Sequence, residues 1–254
     1  FPVNLWPNAA QAYHRWILAS LRENKPYDRF ARELLTESGS NFRVPPVNFY
    51  RAMQSREPQT VARAVALAFM GQRAEKWPEA QLAGMAAFFN QIGYKETGEW
   101  KEEIVFFDPS KPDNAAARRF PDGTRPPDSA AGRDPREVFA GWLTAPKNPY
   151  FAPNIANRAW SWLLGRGIVQ EPDDIRADNP PSNPELLAYL SQEVVNGHYD
   201  LKHLFRLILN SKTYQLSSIP RSDTPEAAAN FAYYPLRRLD AEVLIDALCQ
   251  ITGT

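Results

Sequence analysis

Hydrophobic residues recur along most of this chain at intervals of three and four, the spacing that gives a helix one apolar face. Tyr13, Trp16, Ile17 and Leu21 predict a first helix from about Ala9 to Glu23. Pro26 interrupts the pattern, and Asp28 is placed to cap a second helix carrying Phe30, Leu34 and Leu35. The stretch SGSNFRVPPVNF reads as a polar loop followed by a short helical turn. A third helix is predicted over Glu57–Met70, with Pro58 in its first turn and Val61, Ala64, Val65, Ala68 and Phe69 inward. A fourth starts at Trp77-Pro78 and carries Leu82, Met85, Ala86, Phe88 and Phe89. Its Ala83, Gly84, Ala86 and Ala87 suggest close approach of another helix. The period then changes: EEIVFFDP is the best strand candidate, with Ala117–Phe120 and the turn residues Pro121-Asp122-Gly123 as its candidate hairpin partner. Asp134-Pro135 with Glu137 opens another helix in capping-box fashion, ending near Thr144.

The stretch Asn148–Tyr214 holds three further helix signals. The first starts near Pro153, carries Ile155, Ala159, Trp160, Trp162 and Leu163, and stops at Gly165, which accepts the left-handed backbone of a helix end. Ser182 is placed to cap the second, with Pro184 in its first turn and Leu186, Leu187, Leu190, Val194 and Val195 as its stripe. Asp200 caps the third, with Leu201, Leu204, Phe205, Leu207 and Ile208 apolar. A last helix is predicted over Leu239–Ile251, with Val243, Leu244 and Leu248 apolar. The fold class is therefore mainly α: two packed helical units, 1–108 and 134–254, joined by a small β-hairpin and an irregular connector over 109–133. That connector is rich in Pro, Asp and Arg.

Composition narrows the functions available. Twenty-nine basic residues balance twenty-nine acidic ones, so no overall field recruits nucleic acid or an anionic membrane surface. No apolar run approaches the ~20 residues of a membrane span. Proline is abundant, 23 of 254, about twice its usual ~5%, and stands mostly at helix starts and in loops. The single cysteine, Cys249, forbids an intrachain disulfide and argues against a cysteine metal site. No metal site or cofactor is expected, and no spacing fits a calcium loop. The chain opens at Phe1, as an internal piece of a longer protein would.

Candidate chemistry concentrates in the loop Gly167–Pro181. Glu171, Asp173 and Asp174 could serve as acid and base of glycoside hydrolysis; alternatively they cap turns and pair with Arg158, Arg166 or Arg176. Asn157, Arg158 and Trp160, with Trp162 nearby, combine planar donors with indoles, as a saccharide-binding face does. The two indoles are two residues apart and cannot point the same way on a helix. Arg237, Arg238, Asp240 and Glu242 open the last helix. Arg238 and Glu242 are four apart and Arg237 and Asp240 three, spacings that allow pairing. The two arginines could instead hold an anionic sugar. His198 and His203 are five apart, poor spacing for two metal ligands on one helix face.

Several phrases in fixed order, NPYFAPNIANRAWSWLLGRGIVQEPDDIR, PPSNPELLAYLSQEVV, DLKHLFRLILNSKTYQ and PLRRLDAEVLIDAL, resemble the planctomycete cytochrome-C-associated proteins. The half after Asp134 is similar to their planctomycete-specific domain of unknown function. The half before Pro109, with YHRWILASLRENKPYDRFARELL, is similar to the end of their cytochrome-C-like domain. Many such relatives carry a Cys-x-x-Cys-His haem-attachment motif where this chain reads Gly71-Gln72-Arg73-Ala74-Glu75-Lys76-Trp77. That segment supplies neither the thiols nor the axial histidine, so the electron transfer of the family name does not carry over. The resemblance implies a place in the periplasm or on the cell surface, and a sulfatase-like protein as a partner. The expected function is a non-catalytic extracytoplasmic module binding polysaccharide or a partner protein. A polysaccharide hydrolase working through residues 171–176, and a vestigial haem domain with an apolar hollow beside Gly71–Trp77, are the alternatives.

Overall fold

Proline sets many of the helix starts. In the computed structural model, which describes residues 7–127, 132–221, 224–236, 239 and 241–253, α1 (Pro7–Arg22) is followed by α2 (Tyr27–Thr36). A two-residue strand β1 (Gly39–Ser40) and the short α3 (Asn48–Arg51) come next, then α4 (Pro58–Val65) and α5 (Glu79–Ala86). Strands β2 (Ile92–Glu96) and β3 (Glu103–Phe107) precede α6 (Pro135–Leu143), α7 (Phe151–Leu164), α8 (Pro184–Asn196), α9 (Leu201–Leu209), α10 (Pro225–Ala229) and α11 (Ala241–Thr252). The fold is mainly α with one small sheet. In α4, α6, α8 and α10 the proline stands at the first helical positions, where its missing N–H is an orphan anyway and its fixed φ is already helical.

Caps follow the sequence at Asp134 and Asp200, whose side chains accept from the amides of Arg136 and His203. Two expected caps differ. Asn183, not Ser182, caps α8 by accepting from Leu186 N; Ser182 instead donates from both its amide and its hydroxyl to Ile168 O, at 2.8 and 3.1 Å. Asp28 lies inside the first turn of α2, which starts after Pro26 with no side-chain cap. The predicted helix Glu57–Met70 also changes character part-way. From Ala66 to Met70 it widens into a π-helical turn that ends on Gly71, whose φ of 64° is the left-handed conformation glycine permits.

EEIVFFDP forms β3 as expected, but its partners lie elsewhere. The antiparallel order is β1-β3-β2, with Tyr94 and Gly39 both opposite Val105. The predicted hairpin partner, Ala117–Phe120, packs on α5: Arg119 N donates to Gly84 O at 3.2 Å, and a Cβ on Gly84 would meet Arg119 Cβ at 2.9 Å. The small residues of α5 thus admit a backbone segment there. Phe120 is committed to a ring cluster, stacking on Phe88 at 5.0 Å and on Trp142 at 4.9 Å. That cluster joins α5, the connector and α6, and one continuous set of buried residues runs from Ala31 through Phe139 and Trp160 to Phe231. Buried Arg136 fastens α6 to the end of α2: its guanidinium binds Asp134 Oδ2 at 2.7 Å, Ser38 Oγ at 2.9 Å and Glu37 O at 3.2 Å.

No helix among the described residues is long and apolar enough to cross a membrane. α11 is distinctive in another way. Val243, Leu244, Ile245, Leu248 and Ile251 are all exposed on it.

Candidate functional site

The loop after α7 is shaped by one buried amide. Asn157 is fully enclosed, and its side chain accepts from Val169 N at 2.9 Å while donating to Val169 O at 3.0 Å and Pro172 O at 3.3 Å. These bonds use both ends of the amide. Gly167 lies so near that an added Cβ would meet Val169 O at 2.2 Å. Asn157 therefore organises the loop from within and presents nothing to a ligand.

Arg158, the next residue, does three things at once. Its Nε donates to Asp173 Oδ1 at 2.7 Å, Nη1 to Ala68 O at 3.1 Å and Nη2 to Leu67 O at 2.8 Å. Carbonyls in the last turn of a helix have no partner within it and carry the negative end of its dipole. A guanidinium is suited to them, and Asn154 Nδ2 adds a second donor to Ala68 O at 3.1 Å. The same helix end holds the loop through its backbone, since Ile175 N donates to Gly71 O at 2.8 Å.

The remaining acids are answered in the same manner. Asp174 meets Arg176 Nε at 3.1 Å and Lys76 Nζ at 3.4 Å, and Arg176 Nη1 reaches Asp178 at 2.7 Å. Desolvation opposes ionisation of Asp174, but the hydrogen bond and charge of Arg176, together with those of Lys76, outweigh it. Its carboxyl titrates below the usual range. Arg166 takes no part in these pairs, and its Nε has no partner among the described residues. Glu171 is exposed and accepts from Gln170 Nε2 at 3.3 Å.

Arg158, Asp173 and Glu171 border a cleft of about 370 Å³, lined also by Arg73, Ser161, Trp162 and Pro172. It is a polar space, unlike the apolar hollow expected of an emptied haem site beside Gly71–Trp77. The indole exposed there is Trp162, 54% accessible, which also stacks on Phe205 at 6.4 Å. Trp160, two residues earlier, is 2% accessible and lies in the core against Phe231 at 5.2 Å. It offers no surface to a saccharide. Arg73 and Ser161 were not singled out by sequence; both reach the cleft only because the π-turn and α7 are packed together. Arg73 has no ion-pair partner among the described residues. Arg237, Arg238 and Asp240 lie outside the described residues, while Glu242 is exposed in the first turn of α11. Among the described residues no group of three or more His, Cys, Asp or Glu is arranged to hold a metal ion.

Comparison with known proteins meets this geometry at the boundary before α6. Residues 135–254 match the family model described as PSD1, a protein of unknown function (DUF1553). This segment belongs to the PSD1 family. No curated protein and no solved structure matches the chain. The acidic loop, Asn157, Arg158 and Trp162 all fall inside the PSD1 segment, whereas Arg73, Lys76 and the carbonyls of Leu67 and Ala68 precede it. The PSD1 loop is thus pinned to a helix end outside its own family boundary, and the cleft takes its lining from both sides.

Proposed function

We propose that the chain is a non-catalytic binding module that holds a polysaccharide against Trp162. One observation carries this reading: the half-exposed indole borders a polar cleft whose one aspartate, Asp173, is already engaged by Arg158. An indole gives the C–H face of a pyranose a broad apolar plane. Ser161, Glu171 and the guanidinium of Arg73 supply donors and acceptors around it for hydroxyls. Acid–base hydrolysis asks for two carboxyl groups facing one bond with pKa values pushed apart. Of the two carboxylates lining the cleft, Asp173 is bound to Arg158 and Glu171 accepts from Gln170. Asp174 lies outside that lining and is held toward its ionised form by Arg176 and Lys76. The location outside the cytoplasm implied by the resemblance belongs to the same proposal.

The test is a glycan array followed by calorimetry on the best glycan, with a hydrolysis assay on the same glycan. Binding that falls at least tenfold in Trp162→Ala, with no turnover, is the expected result. Turnover abolished by Asp173→Asn or Asp174→Asn in folded protein would overturn the proposal, as would binding indifferent to Trp162→Ala.

A further inference from the structure

The apolar stripe of α7 runs past its cover. Ile155 and Trp162 are seven residues apart, two turns along one face. Beside them, between α1, the start of α2, α7 and α9, lies a second cavity of about 480 Å³. Its walls are Tyr27, Phe30, Leu201 and Phe205 together with Ile155 and Trp162. The rings lie in near-parallel pairs: Tyr27 and Phe30 at 6.2 Å and 16°, Trp162 and Phe205 at 6.4 Å and 20°. Spaces with such walls admit planar apolar groups.

Polar groups converge on the same cavity. Ser20 lines it, is 3% accessible, and its Oγ has no hydrogen-bond partner among the described residues. A buried hydroxyl left unpaired is unfavourable, and a ligand oxygen that pairs with it relieves that. Lys202 also lines the cavity. Its Nζ donates to Arg22 O at 2.9 Å and has no carboxylate partner among the described residues. An ammonium has three donors, so two remain. Lys25 adds a second positive group at the cavity, although Glu33 already engages it. An apolar space with a few convergent polar groups is the usual form of a small-molecule site, and the unengaged charge here is positive.

We propose that this cavity binds a small aromatic carboxylate, with the ring among Tyr27, Phe30, Phe205 and Trp162 and the carboxylate on Lys202 and Ser20. The probe is 2-naphthoate, titrated calorimetrically into the full chain. 2-Naphthalenemethanol serves as its neutral counterpart and decanoate as an aliphatic acid. Saturable one-site binding is expected, at least tenfold weaker for the alcohol and for decanoate. Lys202→Glu and Lys202→Met should each weaken naphthoate about tenfold, and Ser20→Ala should weaken it severalfold, with circular dichroism confirming the fold. No saturation at millimolar probe, equal affinity for acid and alcohol, or affinity unmoved in both Lys202 variants would overturn the proposal. Tighter binding of decanoate would overturn the aromatic assignment. Trp162 lines both spaces, but Lys202 and Ser20 do not line the cleft at Arg73, so their variants report on this cavity and not on the saccharide reading.

Discussion

The guanidinium of Arg158 meets Asp173 at 2.7 Å while its remaining nitrogens hold the carbonyls of Leu67 and Ala68. One side chain thereby closes a helix end in the first half of the chain and anchors a loop in the second. Arg158→Ala leaves two carbonyls and a carboxylate without this donor, and is expected to cost about 2–3 kcal/mol. Arg158→Lys should recover only part of that, because an ammonium cannot reproduce three divergent planar donors. Urea unfolding of the three proteins checks both statements. Equal stability of the wild type and Arg158→Ala would remove the anchoring role.

Acid should loosen the same loop through Asp174. Its folded-state pKa lies below the unfolded value of 3.8, so its contribution is present above that value. The contribution is lost as pH falls through the lower folded pKa. The expected outcome is a stability curve that drops between about pH 5 and pH 2, less steeply in Asp174→Asn. Thermal melts across that range, compared between the two proteins, measure the difference in slope. Parallel curves would count against it.

At the alkaline end Tyr94 works in the opposite sense. Burial, with Glu103 adding to it, pushes its pKa from 10.0 to about 12 against the pull of Arg56. The stabilisation is complete below pH 10 and is lost as pH climbs through the folded value. Its hydroxyl has no partner among the described residues, and Arg56 sits 4.2 Å from the ring centre, a contact that phenylalanine retains. Tyr94→Phe should therefore lie between unchanged and about 1 kcal/mol more stable at pH 7. It should also lose stability more slowly between pH 10 and 12. Denaturant midpoints at pH 7 and pH 11 decide the matter.

Local signals carried much of the architecture. The caps at Asp134 and Asp200, the stop at Gly165 and the strand at Glu103–Phe107 each depend on a few neighbouring residues, and each is present. The partners of that strand were hidden because pairing is a long-range choice. Gly39–Ser40 is too short to announce itself, and only Asn90 and Gln91 separate Ile92–Glu96 from the apolar Phe88 and Phe89. The π-turn at Ala66 was equally silent, since its apolar periodicity continues that of α4. Within the candidate site, charge alone pointed to Arg158, Arg176 and the acids. The role of Asn157 depends on where residues 167–172 fold back, and Arg73 enters through a contact between segments more than eighty residues apart. The exposure of Trp162 depends on what α1, α9 and the loop at 171–173 leave uncovered, which no property of α7 encodes.

The two indoles of α7 should separate stability from binding. Trp160 is packed among the core side chains against Phe231, so Trp160→Ala opens a large cavity and is expected to cost about 3–5 kcal/mol. Trp162 is half exposed and stacks on Phe205. Trp162→Ala should cost no more than about 1.5 kcal/mol. Trp160→Phe keeps much of the ring volume, removes the unpaired Nε1–H, and should restore most of the loss. Unfolding free energies of the three variants, set beside calorimetry on the glycan selected by the array, distinguish the roles. A stable Trp162→Ala protein that no longer binds assigns the surface to recognition. A Trp162→Ala protein as unstable as Trp160→Ala would make both tryptophans part of the packing and leave the cleft without its aromatic face.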